Sequence, residues 1–408
     1  MLEDARTESR REFFRKGLTG LVGMAIAPSI ASAQSGAEAP AEKSAKKFPR
    51  RTLGRTKLEL PIVSMGVMNA DNADLVRAAL DAGIAYLDTA NYYQRGRNEE
   101  MIGSVIKGRP RESFAIGTKV LGSDLDRKTG LYGKEATAGP FIEKFETSLK
   151  RLGLDHVEIL FHHNVVRKGG ALHEPYLAAL GEMKKQGKAR FVGVSTHMNE
   201  PEVIRAAIES GVYDVVLTAY NFKQPHVAEV EKAIAEANEA GLGVIAMKTQ
   251  AGVYWDSERQ HPINMKAALK WVLRNENVHT AVPGFTTVEQ MELDLAVLAD
   301  PQLTPAEELD LKEDQRMGQR GLYCDQCSKC TGQCPRDVEI PTLMRSYMYA
   351  YGYRNLAAAK ETFESAGMIG VPCEECGECP VRCAMGFDVK KRIAAIARIR
   401  DVADDFIV

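Results

Sequence analysis

The sequence predicts an α/β protein in which a (β/α)8 TIM barrel is followed by a small cysteine-rich domain. Short apolar runs alternate with amphipathic helical stretches from residue 48 to about residue 300. All eight cysteines fall in the later stretch 324–383. With 408 residues, 45% of them hydrophobic, the chain can bury one large core and a satellite. We therefore assign residues 48–300 to the barrel and residues 301–408 to the second domain.

Eight short apolar runs have the length and residue types of buried strands. Helical patterns lie between them at 73–82, 141–152, 174–186 and 201–210. Eight strand–helix units in about 250 residues match a closed barrel better than an open doubly wound sheet, and such barrels carry their chemistry at the carboxyl ends of the strands. The predicted strands are 62–66, 86–89, 114–118, 157–161, 191–194, 215–219, 244–247 and 280–282.

The first 33 residues have the order of parts found in an export signal. The pair Arg10-Arg11 precedes a mildly apolar run from Gly17 to Ala31, and small residues end at Ala33. A disordered basic tail is the alternative. The segment resembles twin-arginine signal peptides, which implies transport of the folded protein to the periplasm and cleavage near Ala33. Residues 34–47, rich in Ala, Glu, Lys and Ser, read as a disordered linker.

The cysteines form two runs with the same spacing, C-x2-C-x2-C-x3-C. Thiolates at these intervals can bind three corners of a 4Fe-4S cluster from one loop, while the fourth sulfur reaches the other cluster. Disulfide frameworks belong mainly to short chains, and structural zinc uses two separated pairs. The runs resemble those of bacterial two-cluster ferredoxins, except that Ala384 replaces the second proline. We expect one cluster on Cys324, Cys327, Cys330 and Cys383, and the other on Cys373, Cys376, Cys379 and Cys334.

Two helices are predicted around the first cysteine run of this ferredoxin-like domain. The stretch 309–320 leads into the run, and the stretch 340–366 separates it from the second run. Tyrosines recur at every second position of the longer stretch, and we expect them to pack against the clusters or the barrel. They are Tyr347, Tyr349, Tyr351 and Tyr353.

Polar side chains end three successive predicted strands: Asp88 the second, Lys119 the third and His163 the fourth. A phenol, Tyr93, follows five residues after Asp88. Each residue alone is more often a salt-bridge partner or a core residue. Their occurrence together at neighbouring strand ends predicts an active site.

Two of these candidates belong to doublets, so each has a neighbour of the same type. Tyr92 and His162 are the alternatives to Tyr93 and His163. The spacing of five residues from Asp88 favours Tyr93, and the same spacing from Glu158 favours His163.

The motifs Asp-Thr-Ala-x-x-Tyr and Thr-Lys, followed by an apolar strand ending in His, resemble those of the aldo-keto reductases. The similarity runs from about residue 51 to 294 and includes Gly193-Val194-Ser195. Reduction of a carbonyl by hydride needs a proton donor at the oxygen, and a phenol is a weak one at neutral pH unless a cation lowers its pKa. The tetrad implied is Tyr93 as acid, Lys119 as that cation, Asp88 holding Lys119, and His163 orienting the carbonyl.

The resemblance also implies NAD or NADP bound by residues after strands five to eight. Leu217 stands where the family usually has glutamine, and no Arg or Lys follows strand eight to bind a 2′-phosphate. Three alternatives follow: the protein uses NAD, Lys248 replaces the missing cation, or the nucleotide site is weak. The implied contacts are Ser195, Thr196, Lys248, Pro283, Gly284, Thr286 and Gln290.

The remaining expectations concern substrate and partners. The long loops 121–139 and 249–262 would lie at the catalytic face, where aromatic and charged residues suit a sugar-like carbonyl or alcohol, although a surface insertion is the alternative. A redox partner protein would exchange electrons with the clusters.

A net charge of -2 without a basic patch gives no support for nucleic-acid binding, and no apolar run is long enough for stable membrane insertion. The alternative function is a non-catalytic or nicotinamide-independent electron-transfer or binding protein that keeps the barrel as a scaffold.

Overall fold

The structure is a computed structural model, and it describes residues 48–126, 129–255, 260–312, 322–324, 326–367, 373 and 376–407. The predicted export signal and linker lie outside the described residues. None of the described helices combines the length and the apolarity needed to cross a bilayer.

Eight parallel strands form the barrel, which confirms the predicted fold. Backbone hydrogen bonds close the sheet between its first and last strands, from Ser64 N to Ala281 O (2.8 Å) and from Gly66 N to Pro283 O (2.9 Å). The barrel strands, in sheet order, are β3 (Met65–Gly66), β4 (Tyr86–Asp88), β5 (Ala115–Leu121), β8 (Val157–His163), β9 (Ala189–Thr196), β10 (Val215–Ala219), β11 (Gly243–Met247) and β12 (Thr280–Ala281).

Two small hairpins were not predicted from the sequence. Strands β1 (Arg50–Thr52) and β2 (Glu59–Pro61) pair antiparallel, and Leu53 and Leu60 belong to the apolar cluster inside the barrel. Since Leu53 also meets the start of β11, the hairpin closes the amino-terminal end of the barrel. Strands β6 (Leu125–Asp126) and β7 (Leu131–Tyr132) form the second hairpin, within the long loop after β5.

Helices packed around the barrel shield the outer face of the strands. Asn72 accepts hydrogen bonds from Asp74 N and Leu75 N and thereby caps the first helix, and Gly153 ends the third with a φ of 66°. Apart from small shifts at their ends, the four predicted helices are present. The helices are α1 (Ala73–Asp81), α2 (Arg97–Ile106), α3 (Ala138–Leu152), α4 (Lys168–Ala171), α5 (Glu174–Lys185), α6 (Glu200–Ser210), α7 (Val227–Glu239), α8 (Met265–Leu273) and α9 (Val288–Ala299).

The helix prediction for the second domain was partly wrong. Helix α10 covers Pro305–Asp310, earlier than the predicted 309–320, because a capping box formed by Thr304 and Glu307 starts it there. Residues 313–320 lie outside the described part of the chain. The predicted single helix 340–366 is two helices, α11 (Ile340–Tyr351) and α12 (Leu356–Glu364). Helix α11 ends at Tyr351 with Gly352 as its C-cap, and the Asn355 side chain caps α12 by accepting a hydrogen bond from Ala358 N.

The second domain has a core of its own, formed where α11, α12 and α13 (Val389–Ala397) meet. Leu343, Phe363 and Ile393 are buried in it, and cysteines from both runs pack against it. The domain lies on the carboxyl-terminal end of the barrel. Asn355 Nδ2 donates to Asn69 Oδ1 at 2.9 Å, in the loop after β3. Ser328 Oγ lies 3.1 Å from Met198 Sδ, in the loop after β9.

Candidate active site

A buried ion pair links the ends of β4 and β5. Lys119 Nζ lies 2.6 Å from Asp88 Oδ2 and also donates a hydrogen bond to Thr89 O at 2.6 Å. Parallel pairing of β4 with β5 brings the two residues together from sequence positions 31 apart. The Lys119 side chain is 1% exposed. Burial lowers the pKa of Lys119 and raises that of Asp88, and each partner opposes the shift of the other.

Tyr93 is the tyrosine of the doublet that contacts this pair. Lys119 Nζ lies 3.4 Å from Tyr93 Oη and 4.9 Å from the centre of the ring. The Tyr92 ring instead lies beside His163, with 5.2 Å between ring centres. The structure therefore places the preferred tyrosine next to Lys119.

The prediction that Lys119 lowers the pKa of Tyr93 is wrong for this structure. Burial raises the pKa of Tyr93 well above its ordinary value, and Tyr92, Asp88 and Tyr349 add to the rise. The charge of Lys119 is balanced by Asp88, and Tyr349 comes from α11 of the second domain. Tyr93 is consequently a protonated phenol at neutral pH, so it has a proton to give to a carbonyl oxygen, although in this state it is a weaker acid than an ordinary phenol.

The two histidines at the end of β8 differ in position. The His163 ring lies edge-on to Tyr93, with 5.9 Å between ring centres. Burial lowers its pKa well below the ordinary value, and Lys119, His162 and Arg345 lower it further, so the ring is neutral. His162 lies instead among aromatic side chains, 2.7 Å from Tyr132 Oη. The structure thus brings together Asp88, Tyr93, Lys119 and His163 and leaves His162 in the core.

The predicted nucleotide contacts separate into two groups. Lys248, Thr286 and Gln290 line a cavity of about 420 Å³ between the barrel and the second domain. The others do not line that cavity. Ser195 Oγ accepts a hydrogen bond from Asn164 N at 2.9 Å, and Thr196 Oγ1 donates to Met198 O at 2.9 Å. Pro283 and Gly284 follow β12, where Pro283 O takes part in closing the barrel.

Leu217, the position at which glutamine was expected, is fully buried in the cluster inside the barrel. Gln290 Oε1 accepts a hydrogen bond from Thr286 N at 2.8 Å, so these two residues form one local structure at the start of α9. The opposite wall of the cavity includes Tyr323 and Cys324 of the second domain. The first cysteine loop therefore faces the predicted nucleotide contacts.

The residues that the second domain adds to the barrel mouth were not predicted from the sequence. Arg345 and Tyr349 on α11 lie close enough to influence the pKa values of His163 and Tyr93. His197, after β9, was missed too. No local signal identifies these residues, because their role depends on contacts between segments that are far apart in the sequence.

All eight cysteines are free of disulfides. Burial, with Cys327 and Cys383 nearby, raises the pKa of Cys330 to about 11. The neighbours that raise the pKa of Cys373, after burial itself, are Cys376, Cys379 and Cys334. Each group thus includes a cysteine from the other run, as in the crossed ligand sets expected from the spacing.

The backbone around the cysteines also fits cluster binding. Gln326 N donates to Cys324 Sγ and Met385 N to Cys383 Sγ, both at 3.4 Å, as backbone amides do beside cluster thiolates. Within the described ranges no three His, Cys, Asp or Glu side chains converge on a single metal ion. The residues fit 4Fe-4S clusters, in which each thiolate binds its own iron.

Comparisons with known proteins agree with this geometry. A model of the aldo/keto reductase family matches residues 59–267, slightly more than half of the chain, and a model of a 4Fe-4S dicluster domain matches residues 323–388. L-galactose dehydrogenase of Arabidopsis thaliana is 24% identical over 296 residues, covering 62% of this chain and 89% of the relative. D-threo-aldose 1-dehydrogenase of a Pseudomonas species is 26% identical over 237 residues, covering 49% of this chain and 69% of the relative.

Among solved structures, an aldo-keto reductase from Bacillus halodurans in its holo form is similar with a TM-score of 0.53. It is 22% identical, and the match covers 69% of this chain and 99% of that chain. This similarity supports the fold.

Proposed function

The chain belongs to the aldo/keto reductase family of oxidoreductases and carries a 4Fe-4S dicluster domain, and from this premise we propose that it interconverts a carbonyl and an alcohol by hydride transfer. The observation that carries the proposal is the contact of Tyr93 with the buried pair Lys119–Asp88 at the ends of adjacent strands. In the reductive direction Tyr93 donates its phenolic proton to the substrate oxygen, and in the oxidative direction it takes up the proton of the alcohol.

The other members of the tetrad support that proton transfer. Lys119 places a positive charge beside Tyr93 Oη, and this charge stabilises the phenolate that remains after the proton has left. Asp88 holds Lys119 in position. His163, neutral and edge-on to Tyr93, orients the oxygen that receives the proton. A nicotinamide nucleotide would supply or accept the hydride.

We propose NAD rather than NADP as that nucleotide. The support is the lining of the cavity, in which Thr286 and Gln290 follow β12 and residues 283–290 include no Arg or Lys. A 2′-phosphate would lack a bidentate cationic partner from this segment. The cations that line the cavity, Lys223, Lys248 and Arg354, come from other segments of the chain. Titrating the protein with NADH and with NADPH and comparing dissociation constants tests the proposal, and tighter binding of NADPH would refute it.

The substrate is proposed to be a sugar-like polyhydroxy compound. Two relatives are named as dehydrogenases of sugars, L-galactose and D-threo-aldoses. Within the loop 249–262, expected to bind substrate, Trp255 is buried against Phe222 and so belongs to the core, while Tyr254 lines the cavity. Asp256 and Arg259 of this loop lie outside the described residues.

We further propose that the dicluster domain holds two 4Fe-4S clusters on the crossed ligand sets. A nicotinamide nucleotide exchanges two electrons as hydride, whereas each cluster accepts one. The clusters relay electrons between a redox partner and a mediator, brace the second domain, or sense redox state. Twin-arginine export to the periplasm is proposed from residues 1–33 alone. Mature periplasmic protein beginning elsewhere than near Gln34 would argue against that cleavage site.

Tyr93→Phe tests the catalytic proposal. We expect turnover to fall about 100- to 10,000-fold, the usual contribution of a general acid. The visible spectrum and an iron content of about eight per chain should be unchanged, as two 4Fe-4S clusters require. Tyr351→Phe, at an exposed tyrosine of α11, is the matched control. Equal turnover in the Tyr93→Phe variant would favour the alternative, an electron-transfer protein that keeps the barrel as a scaffold.

A further inference from the structure

Arg345 is a buried cation for which the structure shows no anionic partner. It lies in the middle of α11 and is 8% exposed. It makes no hydrogen bond or ion pair with any residue in the described part of the chain. Arginine side chains are seldom buried to this degree without a partner, because removing the charge from water is costly. The guanidinium therefore calls for an anion that the described protein residues do not supply.

The charge of Arg345 acts on three side chains, and none of them is an anion. It contributes to lowering the pKa values of His163 and His197, and both rings are neutral. Tyr349, the third, has a raised pKa because it is buried, so it is neutral too. The carboxylate of Glu200, which lies near His197, is hydrogen bonded to Gln224 at 3.1 Å and to His226 at 2.8 Å.

Several polar atoms at this end of the barrel are fully buried without hydrogen-bond partners in the described structure. They lie at the ends of three different strands: His163 Nδ1 and Asn164 Oδ1 at the end of β8, His197 Nδ1 after β9, and Thr249 Oγ1 after β11. Buried polar groups are almost always paired. Ring nitrogen, amide oxygen and hydroxyl atoms at the ends of these strands match the hydroxyl groups of a polyol, while the guanidinium matches a carboxylate.

We propose that Arg345 binds a carboxylate group of the substrate, so that the preferred substrate is a sugar acid rather than a neutral sugar. The inference rests on the function proposed above for the identity of the reacting group. Tyr349, one helical turn after Arg345 on α11, lines a pocket together with Tyr92 and Tyr93, which places this part of the helix beside the tetrad. Arg345 does not line the cavity that contains Lys248, Thr286 and Gln290. This location favours the substrate over the phosphates of the nucleotide. The second domain thereby supplies a specificity residue to the barrel.

The test compares a hexuronic acid with the matching hexose, which differ in a carboxylate against a hydroxymethyl group. Substrates are assayed with wild-type protein, Arg345→Gln, Arg345→Lys and the control Arg398→Gln. Arg398 is exposed on the same domain, so the control makes the same charge change outside the barrel mouth. Cluster absorbance and far-ultraviolet circular dichroism establish that each variant is folded.

We expect wild-type protein to prefer the acid, and we expect Arg345→Gln to lose about 30- to 1,000-fold in kcat/KM for the acid, as for removal of one partner of a buried charge pair. Activity on the hexose should fall far less than activity on the acid, since the hexose presents no charge to position 345. Arg345→Lys should recover only part of the loss, because an ammonium cannot form the two parallel hydrogen bonds of a guanidinium. Arg398→Gln should match wild type.

Equilibrium binding of the acid, measured by calorimetry, separates this inference from the proposed function. Binding that requires Arg345, without turnover of either sugar, would support the carboxylate site and refute the reductase activity. Turnover of the hexose that exceeds turnover of the acid, or an equal loss on both in Arg345→Gln, would overturn the inference and leave the proposed function standing. Weaker binding of NADH in Arg345→Gln, with unchanged preference between the sugars, would also overturn it.

Discussion

The ion pair between Asp88 and Lys119 predicts a large and pH-dependent cost when one partner is removed. Asp88→Asn keeps the shape of the side chain but leaves the Lys119 ammonium with neutral hydrogen-bond partners, Thr89 O and Tyr93 Oη, so that only Glu99 still favours its charge. Breaking a buried pair from one side costs about 3–5 kcal/mol of unfolding free energy. A second estimate, from deprotonation of Lys119, gives the same upper limit for the loss of unfolding free energy. Lys119 can lose its proton instead, at about 1.36 kcal/mol for each pH unit below its ordinary pKa of 10.5, or about 5 kcal/mol at pH 7.

Deprotonation of Lys119 makes the cost fall as pH rises. At pH 9 the same calculation gives about 2 kcal/mol, because deprotonation is then easier. An unfolding entropy of about 2.1 cal/mol/K per residue converts 3–5 kcal/mol into about 6–9 °C for a barrel of roughly 250 residues. We expect the double variant Asp88→Asn/Lys119→Met to recover most of the stability, since no unpaired charge is left.

Thermal unfolding followed by tryptophan fluorescence measures this cost in the barrel alone. The chain has two tryptophans, Trp255 and Trp271, and both are buried in the barrel. Cluster absorbance reports the second domain in the same anaerobic sample. A loss below about 1 kcal/mol at pH 7, or a loss that is the same at pH 9, would refute the account of Lys119 as a charged group balanced by Asp88.

Two further predictions concern proton transfer and cluster assembly. Because the pKa of Tyr93 is raised, its protonated form persists above the ordinary range of a phenol. We therefore expect the carbonyl reduction rate to be flat from pH 6 to 8 and the alcohol oxidation rate to keep rising with pH. An oxidation rate that has already levelled off in the acidic range would contradict the raised pKa. Cys383→Ser should disrupt the cluster on Cys324, Cys327 and Cys330 although it lies in the other cysteine run, whereas Cys334→Ser should disrupt the second cluster. Electron paramagnetic resonance of the reduced variants, with iron analysis, would distinguish the clusters, and signals affected in the reverse order would contradict the crossed ligand sets.

The sequence predicted those parts of the fold and site that depend on local pattern. The barrel strands follow from short apolar runs, and Asp88, Lys119 and His163 follow from the rule that barrel enzymes act at strand ends. The prediction of one helix over 340–366 was wrong because the break between α11 and α12 depends on Gly352 and on the Asn355 cap, while helical periodicity continues on both sides. The hairpin of β1 and β2 was missed because strands of three residues carry almost no periodicity.

The Tyr93 pKa could not have been predicted from the tetrad alone, because its direction is set by burial and by a second domain that begins about 200 residues later. If only the four tetrad residues are considered, Lys119 is the dominant charged neighbour of the Tyr93 phenol. In the folded chain Asp88 balances that charge, while α11 adds Tyr349 above the site. Removal from water then disfavours phenolate more than Lys119 favours it.

The position of α11 connects the cysteine loops to the chemistry of the barrel. Gln326, between two cysteines of the first run, donates a hydrogen bond to Pro341 O in the first turn of α11, at 3.1 Å. The same helix carries Arg345 and Tyr349 to the barrel mouth. A cluster that holds the first loop would therefore also fix two groups that add to the pKa shifts of His163 and Tyr93, which burial dominates. Even a cluster that transfers no electrons would thus control how well the tetrad is shielded from water, and loss of the cluster on Cys324 should impair turnover through α11 while the barrel itself stays folded.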